Sequence, residues 1–302
     1  MEQKDLAIVI LAYRGALLHR ALSSLQIQKD KHFRVYVCDD ASPEDIALSL
    51  NDFEDSLDIV YTRFEENFGI RRQGAHLERC LSLVRDETLV CFFSDDNELT
   101  RDAVQRIRKA AKRHPEINVF HLNTAFIDAS SVRTGEGKRY CRKMKPAPLF
   151  RRIFCKEAPA SLSSFFFRKE ALGKAMFQIR DVSRSPLTLV FSAVGTDGVL
   201  LTPCRARLLK RPHASEYASN PATTLEKALQ LQSFFGWSEY FFEEKYPLSP
   251  RDRVELFARH AASMCPARTE EEILAKFLGF RVFEREFGKG RGKRILHRSL
   301  VK

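Results

Sequence analysis

The sequence predicts an α/β fold, with a mainly parallel central sheet flanked by helices and a helical extension at the C-terminus. Three observations carry that prediction. Short, largely apolar runs alternate with amphipathic segments over the first 130 residues, the pattern of buried strands joined by helices. Several of those runs end in polar or acidic residues, as strands do where they deliver side chains to a ligand edge. Beyond residue 221, apolar residues recur at helical spacing between Pro247, Pro250 and Pro266.

The elements follow in order. LAIVIL predicts a buried first strand, and Leu17, Leu18, Ala21, Leu22 and Leu25 lie on one face of a helix over 16–27. FRVYVC (33–38) is the second strand, ending at Asp39-Asp40. Ser42-Pro43-Glu44-Asp45 predicts a short helix with Ser42 as its cap and proline at its first position. LDIVYTRF (57–64) is the third strand, followed by a turn through Asn67-Phe68-Gly69 and a helix over 72–84. LVCFF (89–93) is the fourth strand and ends at Ser94-Asp95-Asp96-Asn97. A helix over 101–113 and a fifth strand, VFHLNTAFI (119–127), complete the regular part. SLSSFFFRKEAL (161–172) reads as a strand running into a helix, and Gly195-Thr196-Asp197-Gly198 precedes a last apolar stretch. No internal repeat is present. The reading gives two regions, a sheet domain over 1–220 and a helical region with a basic tail over 221–302.

Composition bounds the function classes. The chain has 302 residues, of which 44% are hydrophobic and 29% charged, a globular composition that excludes a disordered chain. Its net charge of +11 raises the question of an anionic partner. That charge is local. Residues 138–156 hold eight basic residues and no acid, and residues 288–302 hold six and no acid, so the remainder sums to 11 − 14 = −3. Such segments are either solvated surface or an anion-facing loop and tail. The seven cysteines include no CxxC pair, which disfavours a zinc site or disulfide framework and fits a reducing compartment. No apolar run reaches the length of a membrane span. The expectation is a cytoplasmic protein, peripheral at most on the inner face of a membrane. No recognisable nucleic-acid module accompanies the basic runs, so nucleic acid is not an expected partner.

The strand ends place Tyr13, Asp39, Asp40, Asp95 and Asp96 at one sheet edge. Paired carboxylates there suit magnesium or manganese, hard ions that take one or two carboxylates plus substrate phosphate. The plainer reading of such a pair is that it caps the next helix.

These segments together resemble glycosyltransferase family 2, nucleotide-sugar-dependent enzymes with the Rossmann-like GT-A fold. The resemblance runs over roughly residues 5–220. It rests on LAIVILAYRGALLHRALSSLQIQKDKHFRVYVCDDASPED, ENFGIRRQGAHLERCLSL, FFSDDNELTRDAV and GTDGVLL. FFSDDNELTRDAV is similar to the family's Asp-x-Asp motif with its helix. The resemblance implies that Tyr13 lies against the nucleobase, that Asp40 accepts a hydrogen bond from the base with Asp39 beside it, and that Asp95 contacts the ribose. It implies that Asp96 holds a Mn2+ or Mg2+ ion bridging the diphosphate, and that Asp197 is the general base for the acceptor hydroxyl. Arg71 and Arg72, just past the turn, have the chemistry to grip that diphosphate. Four residues depart from the family's usual pattern: Arg14, Ser94, Thr196 and Gly198.

The implied activity is inverting transfer of a sugar from a nucleotide-diphosphate donor to a glycan or lipid-linked glycan acceptor, in surface polysaccharide or glycolipid assembly. The basic tail and the aromatic cluster Phe234–Phe242 suit an anionic membrane surface. The alternatives are an inactive nucleotide-sugar-binding protein of the same fold or, further off, a basic nucleic-acid-binding protein.

Overall fold

The structure, a computed structural model, describes residues 4–69, 72–150, 161–179, 186–195, 198–203 and 205–211. The predicted boundary at 220/221, the helical region beyond it and the basic tail lie outside the described residues.

The first strand, β1 (Leu6–Ala12), is followed by helix α1 (Gly15–Gln26), and β2 (Phe33–Asp39) lies parallel beside β1 with Ala12 opposite Asp39. β3 (Ile59–Arg63) adds to the far side of β2, again parallel. After α2 (Gln73–Leu81), strand β4 (Leu89–Ser94) joins the other side of β1, with Leu11 opposite Ser94. The chain thus leaves β1 for one flank and later returns to the other. That makes the end of β1 a topological switch point, where a crevice opens beyond the strand ends.

Both faces of this sheet are buried, as its unbroken apolar runs require. Leu6, Ile8, Ile10, Val35, Val37, Cys91 and Phe93 share one core with Leu18, Leu22 and Leu25 of α1. The same core includes Val104 and Ile107 of α3 (Ala103–Arg113). The alternate residues Ala7, Val9, Tyr36, Val90 and Phe92 are buried as well. Each large aliphatic side chain buried here contributes about 1.5–3 kcal/mol, so the strand ends are set by a stiff core.

The rest of the sheet is less regular than the sequence predicts. β10 (Phe165–Arg168) runs antiparallel between β4 and β6 (Val119–His121), and the order is β3-β2-β1-β4-β10-β6-β11-β9. β9 is Lys143–Met144 and β11 is Leu200–Leu201. The single strand predicted over 119–127 is two. β6 ends at His121, Leu122 donates its amide to the carbonyl of Ser164 at 2.8 Å, and β7 (Asn123–Ile127) enters a second sheet. That sheet has the order β5-β12-β7-β8. β5 is Glu98–Leu99, β8 is Arg133–Glu136 and β12 is Arg207–Lys210. The break falls where His121, Asn123 and Thr124 interrupt the apolar run, polar residues that a single strand leaves without a role.

The helix predicted to start at Pro43 is also different. A 3-10 helix spans Ala47–Phe53, while Ser42 Oγ accepts the Glu44 amide at 3.0 Å ahead of it. Helix α1 has no side-chain cap of its own. Glu44, from the loop after β2, instead accepts the Gly15 amide at 2.7 Å, placing a negative charge at the helix N-terminus where it is favoured. Helix α4 is Pro146–Phe150, and helices α5 (Lys169–Ile179) and α6 (Pro186–Val194) follow β10. Among the described residues no helix is long and apolar enough to cross a membrane.

Candidate functional site

The switch point assembles three strand ends. Asp95, just past β4, is buried and turned back toward the exit of β1. Its Oδ2 accepts the amides of Tyr13 at 3.0 Å and Arg14 at 2.9 Å, and its Oδ1 accepts Arg14 Nη2 at 2.9 Å. A carboxylate bonded to two successive amides fixes the backbone through Tyr13-Arg14. The same Arg14 Nη2 stands 3.1 Å from Asp96 Oδ2, so one guanidinium nitrogen spans both acids. Burial works against the charged form of Arg14, but Asp95 and Asp96 more than offset it and its pKa is raised.

Tyr13 is 45% exposed, with an aromatic ring open to solvent at the sheet edge. Its carbonyl accepts the Ser42 hydroxyl at 2.7 Å. Ser42 in turn donates its amide to Asp39 Oδ1 at 2.8 Å, which ties the ends of β1 and β2 together.

Asp39 and Asp40 are engaged by the chain itself. Asp39 is fully buried, and its Oδ2 accepts Tyr61 OH and Arg63 Nη1, both at 2.8 Å. Burial and the neighbouring carboxylate raise the Tyr61 pKa, so this hydroxyl keeps its proton and donates. Asp40 accepts the amides of Phe68 at 2.9 Å and Gly69 at 2.8 Å, and it pairs with Arg79. Asn67 Nδ2 donates to the Asp40 carbonyl at 2.7 Å. His76, whose pKa burial lowers, lies 3.5 Å from Asp40 Oδ1. The two acids read from sequence as contacts to a nucleobase therefore already hold neighbouring segments in place.

Arg72 lies flat on Phe68, 3.7 Å from the ring centroid, and stands 3.5 Å from Glu66. Arg79 is sandwiched between Phe64 and Phe68, 3.8 Å from each centroid. The predicted diphosphate residue Arg72 is thus part of a stack of alternating arginine and phenylalanine. Arg71 and Asp197 lie outside the described residues. The two glycines that flank the Thr196-Asp197 pair each have a local role. Gly195 takes φ +74° and donates to the Phe191 carbonyl at 2.9 Å, closing α6, as glycine commonly does past a helix end. A Cβ on Gly198 would stand 1.7 Å from the Val194 carbonyl oxygen.

Several residues in the site were not singled out in the sequence. Arg63 and Arg79 neutralise Asp39 and Asp40. Ser163 Oγ accepts the Ser94 amide at 3.0 Å and lies 3.2 Å from Asn97 Nδ2, supporting the Asp95-Asp96 turn. Arg211 is buried and donates to the Asp96 carbonyl at 2.7 Å. Their partners are distant in sequence; only the basic character of Arg63 and Arg79 near the acids offered a signal.

The profile of the family described as Glycosyl transferase family 2 matches residues 7–174, more than half of the chain. The chain belongs to glycosyl transferase family 2. Its fold is the family's GT-A fold, and the match covers β1 through most of α5, including every residue of the Tyr13–Asp96 edge. Solved structures share it. TarS 1–349 from S. aureus in complex with UDP-GlcNAc has a TM-score of 0.53 at 14% identity, over 95% of this chain and 74% of that one. The mannosyltransferase PcManGT from Pyrobaculum calidifontis, in complex with GDP-Man and Mn2+, has a TM-score of 0.56 at 12% identity, over 100% of this chain and 81% of that one. GalNAc-T7 with UDP, GalNAc and Mn2+ gives 0.60 at 13% identity, over 95% of this chain and 57% of that one. At these identities the likeness is one of fold. Comparison with curated protein sequences gives no significant match.

A divalent cation fits the donor set in part. Among the described residues no three His, Cys, Asp or Glu side chains gather to hold a metal. The chain's contribution would be the Asp95-Asp96 oxygens, with substrate phosphate and water completing the shell, the way magnesium is usually bound. Asp95 is committed to the Tyr13 and Arg14 amides, and Asp96, paired with Arg14, is the carboxylate that would take such an ion.

Proposed function

We propose that this family 2 protein transfers a sugar from a nucleoside-diphosphate donor to an acceptor hydroxyl, with inversion at the anomeric carbon. The observation that carries the reading is the clasp of Asp95 on the Tyr13 and Arg14 amides at the switch point, with Asp96 beside it. The UDP-GlcNAc and GDP-Man held by the TarS and PcManGT structures support the donor class.

In this reading the base stacks on the open Tyr13 ring and Asp95 faces the ribose. Asp40 and Asp39 shape the base pocket by fixing the 67–69 turn and Arg63. Direct contact between Asp40 and the base would compete with the Phe68 and Gly69 amides. Arg71 and Arg72 flank the diphosphate. Asp96 holds Mn2+ or Mg2+, which when bound offsets the charge of the departing nucleoside diphosphate. Asp197 takes the acceptor hydroxyl proton as the general base. The acceptor oxygen then bonds to the anomeric carbon as the bond to the β-phosphate oxygen breaks. We assign the transferase to residues 1–220.

The acceptor class that suits the basic segments is a glycan or lipid-linked glycan of a surface polysaccharide or glycolipid. Residues 288–302 would rest on anionic lipid at the inner face of a membrane. Sedimentation with anionic liposomes, with and without residues 288–302, checks that placement; equal binding by both forms removes the tail from it.

The test of the activity is release of nucleoside diphosphate from a donor panel by the wild-type chain, Asp96→Ala and Asp197→Asn. The reading expects Asp197→Asn to bind donor but not transfer it. Wild-type turnover by that variant would refute the assignment of the base.

A further inference from the structure

Arg14 reaches across from the end of β1 to both acids that follow β4. Its Nη2 lies 2.9 Å from Asp95 Oδ1 and 3.1 Å from Asp96 Oδ2. The two acids depend on it differently. Asp95 also accepts the backbone amides of Tyr13 and Arg14, bonds that do not use the Arg14 side chain. Asp96 meets Arg14 only through the side chain. Adjacent carboxylates repel, and one positive charge between them relieves the repulsion. A divalent cation gives the same relief with twice the charge and seeks the same kind of oxygen. Only one of the two can sit against Asp96 Oδ2. The Arg14 side chain is 42% exposed, so it can swing outward without opening the core, and a released guanidinium remains matched to phosphate oxygens.

We infer that Arg14 is a tethered counter-ion on Asp96 that a divalent cation must displace, so that this residue sets the metal affinity of the donor-free protein. The inference rests on the reading of Asp96 as the metal-holding residue. It concerns affinity for the ion and requires no turnover. Arg14 would then hold the acid pair neutralised until metal and donor arrive together.

The test is titration of the full chain with Mn2+ alone, followed by the electron paramagnetic resonance signal of the free ion. Wild type, Arg14→Asn, Arg14→Lys, Asp96→Asn and the Arg14→Asn/Asp96→Asn double variant are compared. Arg14→Asn should bind Mn2+ at least about fivefold more tightly than wild type, the scale expected for removing one partly exposed competing ion pair. Arg14→Lys should fall between them, since an ammonium can pair but lacks the planar fork. The double variant should lose the gain. Equal affinity in wild type and Arg14→Asn, including no binding by either, would overturn the inference, as would a gain that persists without Asp96. Should Arg14→Asn fail to fold by thermal unfolding, Arg14→Gln takes its place with the same two outcomes. Donor turnover is measured separately, so loss of transfer with the Mn2+ result intact counts against the proposed function alone.

Discussion

Arg211 Nη1 donates to the backbone carbonyl of Asp96 at 2.7 Å. The residue just past β12, in the second sheet, thereby holds the turn that follows β4 in the first. Its other terminal nitrogen pairs with Glu98 and bonds Ser131 Oγ at 2.7 Å. Arg211→Met keeps the aliphatic stem but takes the cation from Glu98, whose side chain is 12% exposed, and leaves it the Ser131 hydroxyl at 2.6 Å. Removing one partner of a buried ion pair typically costs about 3–5 kcal/mol. We expect a loss of about 3 kcal/mol, read from the urea midpoint, together with weaker donor binding as the Asp96 turn loosens.

Asp40 is predicted to act first on its own turn. Its carboxylate is the acceptor for the Phe68 and Gly69 amides. Asp40→Ala should speed hydrogen exchange at those two amides at least about tenfold, which corresponds to about 1.4 kcal/mol of lost local protection. The amides of β1 should be unaffected. Unchanged exchange at Phe68 and Gly69 would mean that the turn is held by the arginine–phenylalanine stack alone.

Two glycines give opposite expectations. At Gly198 a methyl group would meet the Val194 carbonyl oxygen at 1.7 Å, and backbone cannot give way cheaply. Gly198→Ala should destabilise by at least about 2 kcal/mol, within the range for overpacking. At Gly173, inside α5, an added Cβ meets nothing within 4 Å. Gly173→Ala should be neutral or stabilise by up to about 1 kcal/mol, through helix propensity. Thermal unfolding of the two variants side by side checks both.

His121 makes the fold acid-sensitive. It is buried among Tyr140 and Phe165, and burial lowers its pKa from the ordinary 6.5 to about 3. The unfolded chain therefore binds this proton more readily than the folded one. The contribution is fully present above about pH 6.5 and is lost as pH falls toward 3, at up to about 1.4 kcal/mol per pH unit. His121→Phe should flatten the dependence of stability on pH in that window. Parallel urea-midpoint curves for variant and wild type between pH 7 and 4 would show that the ring does not titrate on unfolding.

The parts of this molecule written in local pattern were readable without the structure. LAIVIL and LVCFF are apolar on every position and FRVYVC on all but Arg34, and strands of that kind have to lie inside a sheet covered on both faces. Their polar ends therefore fall at one edge, where Tyr13, Asp39 and Asp95 are found. What those side chains touch was not readable. Asp40 meets Phe68, Gly69 and Arg79, and Asp96 meets Arg211, across 28 to 115 residues of chain. Hydropathy reports which face is buried and is silent on which distant donor arrives there. The same holds for direction and partner. FFFR is too short to tell parallel from antiparallel, and the polar residues His121, Asn123 and Thr124 around Leu122 interrupt a run without saying which sheet the chain joins next. Ser42 was read as a helix cap because Ser-Pro-Glu-Asp suits one locally. In the fold its hydroxyl does accept the Glu44 amide at 3.0 Å, as a local cap would, but it also donates to the Tyr13 carbonyl, a contact between two strand ends that no window of sequence contains.

The central claim is that the Asp95–Asp96 edge binds a nucleoside-diphosphate sugar. Thermal unfolding of the full chain with a panel of UDP- and GDP-linked sugars and Mn2+ tests it most directly. A ligand at 100 times its dissociation constant stabilises the folded state by about 2.7 kcal/mol, a rise of about 5 °C or more for a chain of this size. The account predicts such a rise with at least one donor for the wild-type chain and its loss in folded Asp95→Ala. A panel in which no donor shifts wild type, or one that shifts wild type and Asp95→Ala equally, would contradict it.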